Sequence, residues 1–361
     1  MHNYTWNAEM LAQAEWIFLS ESGMTTGAAR HLPPSQQGDL AVGIMAENAC
    51  ATSEMHGEVL EYARVETAVR KTLGLTLGDR AAESPADGIA AMIVSARRHV
   101  SGALDRPLLE RWREMIRSDD DCRPDHDGRP DVSSVRMRRR YRHATQRLEE
   151  AEKELNRFLL WFADHTGEGS SSPVTRAGLA HLWFESIHSF DGGNGRIGRA
   201  LAEIALMRGL PTAQYTPLSP TLLKYRQEYY QMLDNSCRGT DITDWLLWFA
   251  AAIIEAGRER RAGVEFFIQT SRSLSSLRDS INSRQEKVLA HLYADGGKDG
   301  GGTLDLGGYR ELTGADMGTA LYELKELSRL QALLPDDGQS GRYRPAIARK
   351  NVARVRVADI L

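Results

Sequence analysis

Cysteine is scarce in this chain, and neither sign of charge is in large excess. The three cysteines, Cys50, Cys122 and Cys237, are far apart in 361 residues. Their spacing and odd number speak against a disulfide framework or a cysteine metal knuckle, and point to a reducing compartment, by default the cytoplasm. Forty-five lysines and arginines face 49 acids, a net charge of −4 with a pI of about 6.2. That balance gives no global electrostatic case for nucleic acid. No apolar run approaches the roughly 20 residues of a membrane span, and the polar N-terminus lacks a signal-peptide h-region. The expectation is a cytoplasmic protein without membrane contact. Aromatic residues make up only 7%, yet 42% of the chain is hydrophobic, enough for two or three domains with real cores.

Strand signals are also few, and helical periodicity fills most of the chain. The pattern predicts helices over about 8–30 and 38–73, separated by His31-Leu-Pro-Pro, with the second closing at Gly74. Others are predicted over about 86–104, from Pro107, over 144–165, and from Pro173 to Ile187, ending at His188. Beyond Gly209 the segments starting at Leu222 and Asp241 are amphipathic, with Asp241 reading as an N-cap.

Residues 118–147 break this regime. Six aspartates between Asp119 and Asp131 precede six arginines between Arg136 and Arg147. The segment reads either as a solvated loop or as a β-hairpin flap that aligns a partner by backbone pairing. After a linker or frayed helix at 272–283, the tail predicts helix, helix-turn-helix and hairpin, a winged-helix order. Arg342 to Arg356 holds six cations and no acid. That suits phosphate contacts and DNA binding, but the second helix is charge-balanced, and a packing or homodimerisation module shares the pattern.

The most informative stretch is His188-Ser-Phe-Asp-Gly-Gly-Asn-Gly-Arg-Ile-Gly-Arg199. An imidazole precedes a glycine-rich turn whose N–H groups feed a helix N-terminus, where the dipole favours an anion. Arg196 and Arg199, three apart, share one face of the first turn and add charge-assisted donors. The chemistry implied is a polyphosphate held beside a histidine.

This stretch resembles the HxFx(D/E)GNGRxxR signature of the Fic (Fic/Doc) family of AMP-transferring proteins. His188, Phe190, Gly193, Asn194, Gly195, Arg196 and Arg199 match in one register. Thr5-Trp-Asn, Ala180-His-Leu-Trp-Phe-Glu-Ser-Ile and Asp241-Ile-Thr-Asp-Trp also look like the family. The resemblance implies a mainly α fold: a Fic-type helical domain with a small β-hairpin flap, plus a C-terminal winged-helix domain. The corresponding division is 1–105 for an N-terminal helical region, 106–270 for the Fic core and 271–361 for the winged helix. It further implies transfer of AMP from ATP to a Ser, Thr or Tyr hydroxyl of a protein target, with self-modification a variant of the same reaction. His188 takes the role of general base. The Gly193–Gly195 amides, with Asn194, hold phosphates, and Arg196 and Arg199 bind the outer ones. Phe190 anchors the loop, and Tyr229 and Tyr230 are candidates for the adenine pocket, although aromatics at helical spacing are more often core.

Two departures from the family pattern stand out. The acidic residue expected to hold Mg²⁺ is replaced by Gly192, and Asp191, one place earlier, is the remaining candidate ligand for a weakened metal site. The inhibitory pattern (S/T)xxxE(G/N) corresponds to Thr52, His56 and Gly57, with His56 in the glutamate's place. An imidazole cannot give Arg199 a bidentate carboxylate. On a continuous helix, Glu54 and Glu58 would be rotated away from position 56. The expectation is an uninhibited but metal-weakened transferase, or a nucleotide-binding protein with a regulatory C-terminal module.

Overall fold

The computed structural model describes residues 4–76, 84–116, 144–164, 172–208, 210, 216–237, 239–295, 302–336 and 341–361, with no side-chain description for 144–148. The expected flap at 118–147 lies outside the described residues except for the helical backbone from Ala144. The chain forms two compact units. One comprises Met1–Thr26, Pro33–Gly257 and Arg354–Leu361, and the other Gly27–Leu32 and Arg258–Ala353. The first unit takes in residues on both sides of position 105, and the second begins ahead of position 271.

The first unit is helical. Its elements are α1 (Ala8–Ala29, whose last residues belong to the other unit), α2 (Pro34–Glu54), α3 (Tyr62–Leu73), α4 (Pro85–Arg98), α5 (Arg106–Met115), α6 (Ala144–Ala163), α7 (Pro173–Ile187), α8 (Asn194–Arg208), α9 (Ser219–Lys224), α10 (Arg226–Ser236) and the first part of α11 (Thr243–Leu277, which belongs to the other unit from Arg258 on). Proline enters the first turn of α2, α4, α5 and α7, where its missing N–H would have had no partner. Asp105 Oδ1 accepts from Leu108 N at 2.9 Å and fixes the start of α5.

The helix expected over 38–73 is two helices. α2 stops at Glu54, and Met55–Gly57 forms a turn in which His56 N reaches Ser53 O at 2.8 Å and Glu58 N reaches Ser53 O at 3.1 Å. Gly57, with φ of 84°, supplies the left-handed residue that such an ending needs. The helical register of hydrophobics across this region concealed the break.

α7 and α8 are the centre of the unit, antecedents and successors packing around them. Polar side chains tie them to the surrounding elements. Glu15 of α1 accepts from Val174 N (3.2 Å) and Thr175 N (2.9 Å) at the start of α7, where the helix dipole favours a carboxylate. Glu203 of α8 accepts from Asn48 Nδ2 of α2 (3.1 Å) and Leu218 N (2.9 Å). Arg208 closes α8 by donating to the carbonyls of Val100, Gly102 and Phe162. Trp245 of α11 donates to Gly178 O at 3.0 Å. The N-terminal segment pairs with the start of α11: Thr5 N donates to Thr240 O and Ile242 N to Thr5 O. Asp241 Oδ1 accepts from Thr243 N at 2.9 Å, so it does cap that helix.

The second unit contains α12 (Ser283–Asp295), β1 (Leu304–Asp305), α13 (Leu306–Thr313), α14 (Met317–Arg329), β2 (Leu333–Pro335) and β3 (Arg342–Pro345). β3 lies between β1 and β2, antiparallel to both, with Leu304 opposite Tyr343 and Leu333 opposite Pro345. The hairpin and helix order follow the sequence pattern. Strand β1, only two residues long, carries no periodicity that could announce it. Of the two readings of 272–283, linker or frayed helix, the part up to Leu277 is helix, because α11 continues through Ser271–Ser276. Asp316 Oδ1 caps α14 by accepting from Gly318 N and Thr319 N. Among the described residues no helix is long and apolar enough to cross a membrane.

Candidate functional site

The site grows from the junction of α7 and α8. His188 caps α7 in the left-handed conformation, φ 49° and ψ 51°, which non-glycine residues adopt sparingly and usually at turns or functional loops. This conformation ends the helix and redirects the chain into the 189–193 loop. Phe190 is buried and packs on Phe184, with ring centroids 6.4 Å apart. Asn194 then locks the loop: Nδ2 donates to Phe190 O at 2.6 Å, and Oδ1 accepts from Phe190 N at 3.2 Å. Its amide thereby clamps the loop at both polar groups of Phe190. Gly193 has φ of 81°, and a Cβ there would lie 2.8 Å from Ile116 Cδ1. Both conformation and space call for glycine at this position.

Ile197 N bonds Gly193 O at 3.0 Å, closing the first turn of α8. The earlier amides of that turn have no intrahelical acceptor, the general condition of a helix start. Arg196 and Arg199, both buried, flank it. Arg196 Nη1 lies 3.5 Å from Glu58 Oε2. Arg199 is fixed along one edge by Thr52: Nε donates to Oγ1 at 2.9 Å, and Nη2 donates to Oγ1 at 2.7 Å and to the carbonyl at 3.2 Å. Glu58 thus reaches the site after all. Its expected rotation away presumed a continuous helix, and the turn at Met55–Gly57 removes that premise.

His56 stands at the same place from the other side. Its Nε2 lies 3.2 Å from the position a Cβ on Gly195 would take, and Arg199 Nη1 is equally close to that point. His56 keeps solvent-exposed surface although protein crowds it. That crowding and the charges of Arg196, Arg199 and Arg226 push its pKa well below the ordinary imidazole range. The arginine charges act in the same direction as the crowding, and a neutral ring can sit beside a guanidinium without repulsion. Arg226 of α10 was not singled out in the sequence. Its guanidinium carbon is 6.0 Å from the Tyr230 ring centroid, and Tyr230 Oη donates to Met55 O at 3.3 Å.

Beneath α8 lies a buried polar cluster that sequence reading missed. His181, Glu185, Arg199 and Tyr229 are each at most 6% exposed. His181 Nε2 and Tyr229 Oη are 2.6 Å apart, and the imidazole stacks among Tyr229, Trp245 and Phe249. Burial and the Arg199 charge push the His181 pKa down to about 3. Burial pushes Glu185 up to about 7, with Arg199 opposing. The only signal available was a lone acid in the apolar run Leu182-Trp-Phe-Glu-Ser-Ile. Tyr229, weighed in the sequence between the adenine pocket and the core, is 1% exposed and packs in this cluster. Tyr230 remains half-buried near the Met55–Gly57 turn.

Asp191 has an arginine neighbour outside the motif. Its side chain is fully exposed, 3.4 Å from Arg113 Nη2. Among the described residues, no group of three or more His, Cys, Asp or Glu side chains is placed to hold a metal ion. With Gly192 at the acidic position, the donors present do not fit a protein-held Mg²⁺ site. Neither Cys50 nor Cys237 forms a disulfide.

A helix ending in a left-handed histidine, a clamped glycine loop and a second helix opening on two buried arginines define a helical anion-binding architecture. The family model of the Fic/DOC family matches residues 108–206, and a model described as Domain of unknown function (DUF4172) matches residues 2–75. Similar solved structures include a Fic family protein from Desulfovibrio desulfuricans G20, 18% identical with TM-score 0.48, the match covering 98% of this chain and 100% of that one. Another is a Fic domain containing signaling protein from Bacteroides thetaiotaomicron VPI-5482, 15% identical with TM-score 0.48, covering 69% and 97%. The chain contains a Fic/DOC family domain.

Proposed function

We propose that the protein transfers AMP from ATP to a Ser, Thr or Tyr hydroxyl of a protein target, itself included. The observation that carries this reading is the buried pair Arg196 and Arg199 on the first turn of α8, directly after His188 and the clamped loop. In this reading His188 takes the proton from the attacking hydroxyl as that oxygen bonds to the α-phosphorus, and pyrophosphate leaves. Amides of residues 193–195 receive the phosphates near the transferring group, and the two guanidiniums neutralise the outer ones. Asn194 acts by holding the loop. His56, neutral beside Arg199, leaves position 56 without the glutamate of the inhibitory pattern.

The second reading is a weakened transferase that mainly binds nucleotide, favoured by Gly192 and the outward Asp191. Incorporation of labelled ATP by the full chain tests both. His188→Ala should lose about 10²–10⁴-fold, and Gly192→Asp should raise Mg²⁺-dependent transfer. Equal incorporation by wild type and His188→Ala would defeat the first reading, and equal rates for wild type and Gly192→Asp the second. We read the C-terminal unit as a winged helix serving regulation, with a cytoplasmic setting and homodimerisation as its natural companions. DNA binding draws support from the Arg342–Arg356 cations alone, since α14 sets Lys325 between Glu323 and Glu326 and exposes Met317, Leu321 and Tyr322. A gel shift with the full chain that shows no salt-dependent complex removes the DNA reading.

A further inference from the structure

The glycines of α8 expose an arrangement that the proposed reaction does not use. The point where a Cβ on Gly195 would lie is 3.2 Å from Arg199 Nη1, 3.2 Å from His56 Nε2 and 3.5 Å from Glu185 Oε1. One turn on, the corresponding point on Gly198 is 3.1 Å from Glu185 Oε1 and 3.0 Å from His181 Nδ1. The side chains missing from these glycines leave a gap through which the α7 carboxyl approaches the α8 arginine. Three of the polar atoms facing that gap, Glu185 Oε1, His181 Nδ1 and Arg199 Nη1, are buried and make no hydrogen bond of normal geometry, although the Gly198 backbone adjoins the imidazole and the Tyr229 phenol adjoins the guanidinium. Thr52 occupies the other edge of the guanidinium, so Nη1 is the edge left for a charge partner. Buried polar atoms in native folds are nearly always paired, and a cluster left unpaired marks a place where a ligand or a proton is exchanged.

We propose that Glu185 is a positioning residue that serves as the internal counter-charge of Arg199, supplying from α7 the carboxylate that position 56 lacks and setting how strongly this arginine attracts the outer phosphate of a nucleotide. The inference rests on the nucleotide-transfer reading and deepens it by naming a regulator of the same site. When Glu185 is ionised, its charge offsets Arg199 and anion binding weakens. When it carries a proton, Arg199 presents its full charge. Burial with few partners favours the protonated form, the guanidinium favours the ionised one, and the balance falls at about pH 7. The other groups facing the carboxyl do not titrate near there. His181 of α7 and His56 of the 55–57 turn are held neutral, burial raises the Tyr229 phenol of α10 well above its ordinary value, and Trp245 and Phe249 of α11 are uncharged at any relevant pH.

The linkage is reciprocal. An anion on Arg199 raises the affinity of Glu185 for its proton, and protonation raises the affinity for the anion. The test is calorimetric titration of the full-length protein with ATP at pH 6 and pH 8, on wild type and Glu185→Gln. The glutamine keeps the shape and mimics the protonated acid. Wild type should bind ATP about three- to tenfold more tightly at pH 6 than at pH 8, beyond any change in Glu185→Gln. The variant should match or exceed wild type at pH 8. Identical pH dependence in the two proteins, or weaker binding by the variant at pH 8, overturns the inference. Infrared spectroscopy of wild type supplies a readout independent of nucleotide and of the variant's folding: a protonated carboxyl band that disappears as pH rises through neutrality. Its absence at pH 6 also overturns the inference. If wild type binds no ATP at either pH, the nucleotide reading fails and this ligand assignment with it, a failure distinguishable from that of Glu185 because it appears in wild type itself.

Discussion

Two buried glutamates, one in each unit, receive opposite treatment. Glu323 of α14 accepts hydrogen bonds from Arg284, from Asn282 Nδ2 at 2.7 Å and from Tyr309 Oη at 2.7 Å. Arg284 holds its pKa below the usual carboxylate range. The carboxylate joins α12, α13 and α14 and is saturated. Glu185 of α7 is equally buried, yet one of its oxygens has no partner, and its arginine neighbour is itself incompletely paired. A saturated buried charge has only one good arrangement and so specifies structure. An unsaturated one responds to protons and ligands. That contrast, more than the presence of charge, separates the architectural cluster from the functional one.

The comparison can be broken by experiment, starting with its largest expected effect. Glu323→Ala leaves Tyr309 and the half-exposed Arg284 without their acceptor and should lower the stability of the C-terminal unit by up to about 3 kcal/mol in denaturant unfolding. A loss under about 1 kcal/mol would show that Glu323 is not a structural hub. Glu185→Gln should do the reverse above neutral pH, stabilising the protein by on the order of 3 kcal/mol at pH 8. The sign follows from the raised carboxyl: its contribution is fully present below about pH 4.5 and is lost as pH rises to about 7. Unfolding midpoints of wild type and variant that run parallel from pH 5 to 8 would contradict this. Thr52→Val removes the two hydroxyl bonds to Arg199, leaves the one to the residue-52 carbonyl, and should cost about 1.5–3 kcal/mol of stability, while loosening ATP binding in calorimetry. Unchanged affinity would mean that Thr52 does not orient the arginine.

The smallest effect tests the Glu323 side through acid. Its depressed pKa adds stability above the ordinary carboxylate value near 4.5, and that increment is lost as pH falls through the depressed value. Unfolding of the C-terminal unit should therefore steepen below about pH 4.5 in wild type and do so less in Glu323→Gln. Equal acid slopes would remove the distinction drawn between the two glutamates.

Much of this was legible in the residues. Helix periods, proline starts and the Asp241 cap are local, because each depends on atoms a few residues apart. The motif His188–Arg199 was legible for the same reason: a glycine turn followed by a helix start produces its anion site from contiguous backbone. The break at Met55–Gly57 was misread because hydrophobic spacing on both sides stayed in phase.

The sequence by itself determined a mainly helical chain, a histidine before an amide-lined helix start, two arginines on that first turn, and a glycine where the family carries an acid. Only the tertiary structure decided which groups surround those arginines. Thr52, Glu58, His56 and Glu185 come from the end of α2, the turn after it and α7, up to 147 residues away in the case of the Thr52–Arg199 bond. Tyr229 was drawn inward by the same packing. The physical reason is that proximity across helices depends on crossing geometry and on gaps such as those at Gly195 and Gly198, which no spacing along the chain encodes.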